Sequence, residues 1–206
     1  MKKLAVLGAS GHGKVVADTA ECCGWTQVDF YDDGWPEITV TGAWEVIGDG
    51  EALLASVEKY DGVLVAIGNN SIRQKKIIEL ELAGAELISL KHPQCSFSRY
   101  ATLGKGSVVF AGAIVNVGAS IGVGAIINSG CSVDHDCQLG EYVHISPGAR
   151  LAGGVVVGDL TWVGVGAAVR QSLHIGSNVI VGAGAAVISD IPDNLTFVGV
   201  PARKLK

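Results

Sequence analysis

The sequence predicts a mixed fold: an α/β, Rossmann-like unit over residues 1–92, then a left-handed parallel β-helix of hexapeptide repeats with a C-terminal tail over 93–206. Three observations lead there. An apolar period of six runs without a slip from Leu103 to Val187, a strand–glycine turn–helix pattern opens the chain, and 29 glycines accompany only 6% aromatic residues. A core made from such a composition is filled by Val, Ile, Leu and Ala, with glycine where the chain turns.

Lys3-Leu-Ala-Val-Leu-Gly8 reads as a buried strand entering the turn Gly8-Ala-Ser-Gly11-His12-Gly13-Lys14, after which Val15–Ala20 has helical character. Strand, glycine turn and helix N-terminus together present backbone N–H groups to an anion. The glycine order is not that of the dinucleotide fingerprint, and one glycine-rich turn alone is a weak signal. Val28–Tyr31 predicts a second strand ending at Asp32-Asp33, where an acid in such a fold accepts bonds from a ribose or a base. Gly62–Ile67 predicts a third, ending in Gly68-Asn69-Asn70 ahead of a basic helix with Arg73, Lys75 and Lys76. Three strands ending in Gly or Asp at one edge place a candidate site at the carboxyl ends of a parallel sheet. The plainer reading, that these are turn residues only, stands beside it. No second nucleotide-binding half follows residue 90, which favours a nucleotide or nucleotide sugar over a dinucleotide. Lys91-His92-Pro93 reads as the junction, with His92 structural.

Every sixth residue from Leu103 to Val187 is Leu, Ile or Val, and a mostly small residue follows four places later. A helix would repeat at three and four, and an ordinary strand at two. A period of six predicts a short strand, a turn and another short strand, three hexads closing one coil, with coils stacked at the inter-strand spacing of roughly 4.8 Å. Cys131 and Cys137 fall at the small interior position and read as core. The interior is occupied throughout, so chemistry is left to outward-facing turn residues.

Composition excludes several function classes. A net charge of −5 without a basic stripe argues against nucleic-acid binding. Five cysteines with no Cys-x-x-Cys pair suit a reduced, cytoplasmic setting. The turn at Gly8–Lys14 interrupts the first apolar stretch too early for an export signal. Residues 106–133 carry no charge, more than the roughly 20 residues a bilayer span needs, but Asn116, Asn128, the serines and a non-helical period argue against membrane insertion.

Of the three histidines inside the repeats, His135 lies between Asp134 and Asp136 and faces outward at a corner, where flanking carboxylates raise its basicity. A solvated turn histidine is the plainer alternative. His144 is nine residues on, half a coil, and so lies on another side of the prism. The two can line one cleft only if prisms pack side by side, which motivates a homotrimer. His174 has no assigned role.

The hexads, Val133-Asp-His-Asp-Cys137, His144-Ile-Ser-Pro-Gly148 and Val198-Gly-Val-Pro-Ala202 resemble bacterial nucleotide-sugar acetyltransferases of the left-handed β-helix superfamily. The turn Gly8–Gly13, Asp32-Asp33 and Ala66–Asn70 narrow the resemblance to the branch that acetylates UDP-linked 4-amino-4,6-dideoxy sugars of the bacillosamine type, with sialic-acid-pathway O-acetyltransferases as close relatives. The resemblance implies acetyl-CoA as co-substrate, no metal, a UDP-sugar as acceptor, and His135 as general base supported by Asp136. A member of that family carries Glu at this acid, one methylene longer than Asp136. Asn128 matches a polar residue close to the base, and His144 one that contacts acetyl-CoA. Backbone near Gly153, Val165 and Ala183 follows the pantetheine arm. His12 falls in the sugar-nucleotide loop, with Ser10 and Gly11 near the phosphates; Gly68 and Asn69 join them from the third strand. A hydroxyl acceptor, a GDP- or dTDP-linked amine, and a non-catalytic β-helix that assembles with others remain the alternatives.

Overall fold

The computed structural model describes residues 2–205, which fall into two compact units that part between Pro93 and Gln94. In the first, β1 (Lys3–Leu7) turns into α1 (Gly11–Cys22) and returns as β2 (Gln27–Tyr31), parallel to β1. An antiparallel excursion, β3 (Val40–Thr41) and β4 (Trp44–Gly48), lays β4 parallel to β2. Then come α2 (Gly50–Leu54), β5 (Gly62–Val65) and α3 (Asn70–Leu82).

The sheet order is β3-β4-β2-β1-β5. The chain therefore leaves β1 towards β2 on one side and comes back to β5 on the other. That reversal opens a crevice beyond the carboxyl end of β1, where α/β sheets bind ligands. Leu4, Ala5 and Val6 are wholly buried, as expected for a central parallel strand covered on both faces. Apolar runs mark only three of the five strands. β4 lacks one because its burial alternates, with Glu45 and Ile47 exposed.

In the second unit, two-residue strands recur every six residues from Ser96–Phe97 to Ala186–Val187. Each pairs in parallel with the strand one coil later, as Ile114 does with Ser132 and Ser132 with Arg150. Three walls result, and the architecture is the left-handed parallel β-helix that the period of six predicts. One wall carries Val108–Val109, Ile126–Ile127, His144–Ile145, Trp162–Val163 and Ile180–Val181. From Val109 to Val187 each aliphatic residue of the period is at most 4% exposed.

The residue four places on is buried too, including Cys131 and Cys137. Two polar residues share this interior without leaving bonds unmade. Ser107 donates to Gly122 O (3.1 Å) and accepts from Ala125 N (2.9 Å), while Thr161 donates to Gly176 O (2.7 Å) and accepts from Val179 N (3.0 Å).

The prism extends beyond the aliphatic series at both ends. It begins at Phe97, where an aromatic residue holds the interior position. Past Val187 the coil tightens: Val163 pairs with Val181, 18 residues on, but Val181 pairs with Phe197, only 16 on. Ile191 takes the place beside Ile175. Thr196–Val198 then receives Arg203–Lys204 as an antiparallel partner, covering part of the last backbone edge. Among the described residues no helix is long and apolar enough to cross a membrane.

Removing one interior side chain from a coil that cannot collapse sideways leaves a cavity. Ile145→Ala, at a position with no exposure, is expected to lose about 2–5 kcal/mol. A fall in the urea unfolding midpoint checks this, and an unchanged midpoint would mean the coils repack around the gap.

Candidate active site

Two regions carry chemistry, one in each unit. In the first, Gly8 ends β1 with φ +113°, and a side chain there would collide with Ala66 O, 2.7 Å from where its Cβ would stand. Glycine lets the chain pass beside the end of β5. Asp32 then brackets the turn: Oδ2 accepts from Ala9 N at 2.7 Å and Oδ1 from Gly34 N at 2.9 Å. Asp33 accepts from Gly50 N at 3.1 Å and stands 3.8 Å from Lys76 Nζ. The crevice is a cavity of about 250 Å³ lined by Ser10, Asp32, Asp33, Gly68 and Lys76, among others.

Ser10, Asp32, Asp33 and Gly68 thus meet at one cavity, whereas Gly11, His12 and Asn69 are not among its lining residues. Asn69 caps α3, its Oδ1 accepting from Ile72 N at 3.0 Å. His12 sits in the first turn of α1. Burial, and then the charge of Arg73, push its pKa down to about 4, so at neutral pH it offers an uncharged imidazole rather than a countercharge for phosphate.

Arg73 itself is 1% exposed and donates to Ile67 O (3.0 Å), Gly68 O (3.2 Å) and Asn70 Oδ1 (2.8 Å). It therefore clamps the loop after β5 onto α3. In the sequence it looks like one more cation of a basic helix. The signal for Lys76 is its spacing of three from Arg73, which sets both on neighbouring parts of one helix face.

In the second unit, Asp134-His135-Asp136 forms the corner between Ser132–Val133 and Gln138–Leu139. Asp134 Oδ1 accepts from His135 N (2.8 Å) and Asn116 Nδ2 (2.7 Å), bonds that hold its carboxyl below the usual range. Asp136, at φ +59°, places Oδ2 2.8 Å from His135 Nδ1. A carboxylate only accepts, so Nδ1 carries the proton and Nε2 keeps the lone pair in the neutral imidazole. The bond to Asp136 and the charges of Asp134 and Asp136 raise the pKa of His135, whose side chain is 58% exposed. Its ring lies directly against Gly153 of the next coil.

His144 stands on a wall in a row with Ile126, Trp162 and Ile180. It stacks on Trp162 with ring centroids 5.0 Å apart and 12° between planes. Asn128 Nδ2 lies 3.1 Å from His144 Nε2, so within one chain Asn128 attends His144 and not His135. Trp162 Nε1 donates to Ser146 Oγ at 2.6 Å. Beside them runs an apolar groove of about 300 Å³ that includes Trp162, Val165, Ile180 and Ala183. Val165 and Ala183 therefore share a groove, while Gly153 belongs to the His135 corner.

Trp162 and Ile180 carry no signal of their own beyond holding the outward position just before an interior aliphatic residue. His174 is exposed. Cys131 and Cys137 have no exposure, and burial raises both thiols, Cys131 to about 12, which rules them out as nucleophiles at neutral pH. Among the described residues no group of three or more His, Cys, Asp or Glu could hold a metal ion.

The bond from Asp136 is the first cause of the raised pKa of His135. Asp136→Asn removes the carboxylate that favours the imidazolium, so the titration midpoint of His135, followed by NMR, is expected to fall. A midpoint that stays in place would show that the pair does not form in solution.

Residues 3–80 match the family model of the PglD N-terminal domain. UDP-N-acetylbacillosamine N-acetyltransferase of Bacillus subtilis (strain 168) is 39% identical over 114 residues, 54% of this chain, and the match spans only about half of that relative, 52% of its length. GDP-perosamine N-acetyltransferase of Escherichia coli O157:H7 is 32% identical over 79% of this chain and 76% of its own length. Among solved structures, the acetyltransferase domain of PglB from Neisseria gonorrhoeae FA1090 in complex with acetyl coenzyme A superimposes with a TM-score of 0.94 at 41% identity, covering 99% of both chains. With the sheet crevice, the hexapeptide coils and these likenesses in place, the chain belongs to the family of bacterial nucleotide-sugar N-acetyltransferases that join a PglD N-terminal domain to a left-handed β-helix.

Proposed function

We propose that the protein transfers the acetyl group of acetyl-CoA to the 4-amino group of a UDP-linked amino-dideoxy sugar in bacterial glycan biosynthesis, working as a homotrimer in the cytoplasm. The observation that carries this reading is the His135–Asp136 pair at 2.8 Å, which leaves Nε2 basic and outward at a corner of the prism. The B. subtilis relative, at 39% identity, is named for a UDP-sugar, and the N. gonorrhoeae structure contains acetyl coenzyme A. A GDP-linked amine is the second reading, favoured by the name of the E. coli relative.

In the proposed reaction the neutral sugar amine attacks the thioester carbonyl, and His135 Nε2 takes the amine's proton. As the tetrahedral intermediate collapses, the carbon–sulfur bond breaks and the departing thiolate receives that proton. General-base assistance of this kind supplies roughly 10²–10⁴-fold, and holding both substrates in one cleft supplies much of the rest. The backbone N–H of Gly153, beside the ring, is the proposed donor to the developing oxyanion. Asp32, Asp33, Ser10, Gly68 and Lys76 would hold the nucleotide, and the groove of Trp162, Val165 and Ala183 the pantetheine arm. Asn128 and His144 would form the acyl-CoA side of the cleft. His135 and His144 lie on a corner and a wall of one prism, so the trimer reading brings one of each from adjacent chains into a single site. Five unbridged cysteines suit a reducing compartment.

The test is thiol release from acetyl-CoA with a panel of UDP-, GDP- and dTDP-linked amino and hydroxy sugars. Release with a UDP-linked 4-amine in preference to the others is expected; no release with any member would contradict an acetyltransferase reading. Asp32→Ala should raise KM for the sugar nucleotide severalfold and leave KM for acetyl-CoA unchanged. An equal KM for the sugar nucleotide would reduce Asp32 to a turn residue. Sedimentation at micromolar concentration should give three chains per particle, and a monomer would remove the shared cleft.

A further inference from the structure

We infer that Gly153 is a positioning residue for the reaction, its missing side chain being the seat that holds the His135 ring in place. The inference rests on the reading of His135 as base and gives Gly153, besides its proposed backbone N–H, a role that acts through His135.

Four places in successive coils stack at this corner, and the backbone ladder registers them. Asp136 N donates to Val117 O at 3.1 Å, and Gly154 N donates to His135 O at 2.9 Å. Gly118 therefore lies beside Asp136, and Gly153 beside His135. A methyl group on Gly118 would strike Asp136 Oδ1, and one on Gly153 would strike His135 Nε2, Cε1 and Cδ2. The pair is bracketed between two residues that have no side chain. The coil above leaves the ring one flat surface to lie on, and the coil below leaves the carboxylate room to meet Nδ1.

The two glycines differ in what a substitution would reveal. Gly118 has φ +75°, so any side chain there strains the backbone whatever it meets. Gly153 lies outside that region. Its alanine variant keeps an ordinary backbone, and the clash falls on the far end of a flexible, half-exposed side chain. The His135 ring must swing away, and the fold need not change. Swinging away breaks the bond to Asp136 and carries Nε2 off its line to the acceptor. The titratable groups facing His135 are Asp134 and Asp136 of its own turn; the adjoining coils present Val117-Gly118 and Gly153-Gly154, which carry no charge. A displaced ring therefore loses its principal charge partner and gains none.

The experiment is Gly153→Ala, compared with wild type and with His135→Ala in the purified full chain. Misplacement on the scale of 1 Å costs on the order of 10²-fold, so kcat is expected to fall by about that factor, with KM for both substrates little changed. The thermal unfolding midpoint should stay near wild type, and the NMR titration midpoint of His135 should drop. Adding Gly153→Ala to His135→Ala should bring no further loss. A Gly153→Ala enzyme with wild-type turnover and an unmoved His135 titration would overturn the proposal, as would an equal loss on top of His135→Ala, which would place the role of Gly153 elsewhere. If His135→Ala itself keeps turnover, the base reading fails. The His135 titration in Gly153→Ala then still decides whether Gly153 seats the ring.

Discussion

The parallel pairing of each short strand with the strand 18 residues on is the constraint from which the rest of the second unit follows. Backbone bonds at that interval admit only residues that repeat in phase, large and apolar along the wall and small near the turn. The interior is filled along its length, and even its two polar residues, Ser107 and Thr161, spend their hydrogen bonds on backbone inside it. Chemistry has only the corners and outer walls left. The same ladder that closes the core also aligns the corners, so that His135 of one coil is set against Gly153 of the next.

Environment then separates residues that composition treats alike. The buried thiols of Cys131 and Cys137 are pushed up and lose reactivity, while His135, in the open between Asp134 and Asp136, becomes more basic. His12 moves the other way, half-buried near the charge of Arg73, and stays neutral. The two histidines thus differ in charge behaviour, and the exposed, more basic one is the one that the proposed reaction uses. The first unit is organised by a different device, the reversal of strand order around β1, which opens its crevice where Asp32, Gly68 and Lys76 converge.

How much of this was legible in the sequence depends on whether a residue's role shows in its spacing. The β-helix does, because interior side chains must repeat with the backbone register. The His135–Asp136 contact does, because the partners are adjacent in sequence. β4 does not, since its alternating burial is too brief to stand out. Arg73 does not, because burial alone distinguishes a loop clamp from a solvated cation. Asn128 was expected near the base through a family likeness, and its place beside His144 depends on which coil stacks on which, a fact of three dimensions. The shortened last coil is a similar case: two missing residues after Val187 look like the end of the repeat, yet Ile191 and Phe197 carry the interior onward.

The proposed reaction turns on one atom, Nε2 of His135, as the acceptor of the proton that acetyl transfer would release. Steady-state turnover of His135→Ala with a UDP-linked 4-amino sugar and acetyl-CoA tests that claim most directly. The account predicts a fall in kcat of roughly 10²–10⁴-fold with KM for either substrate little changed. Turnover near that of the wild type in the purified variant would contradict it.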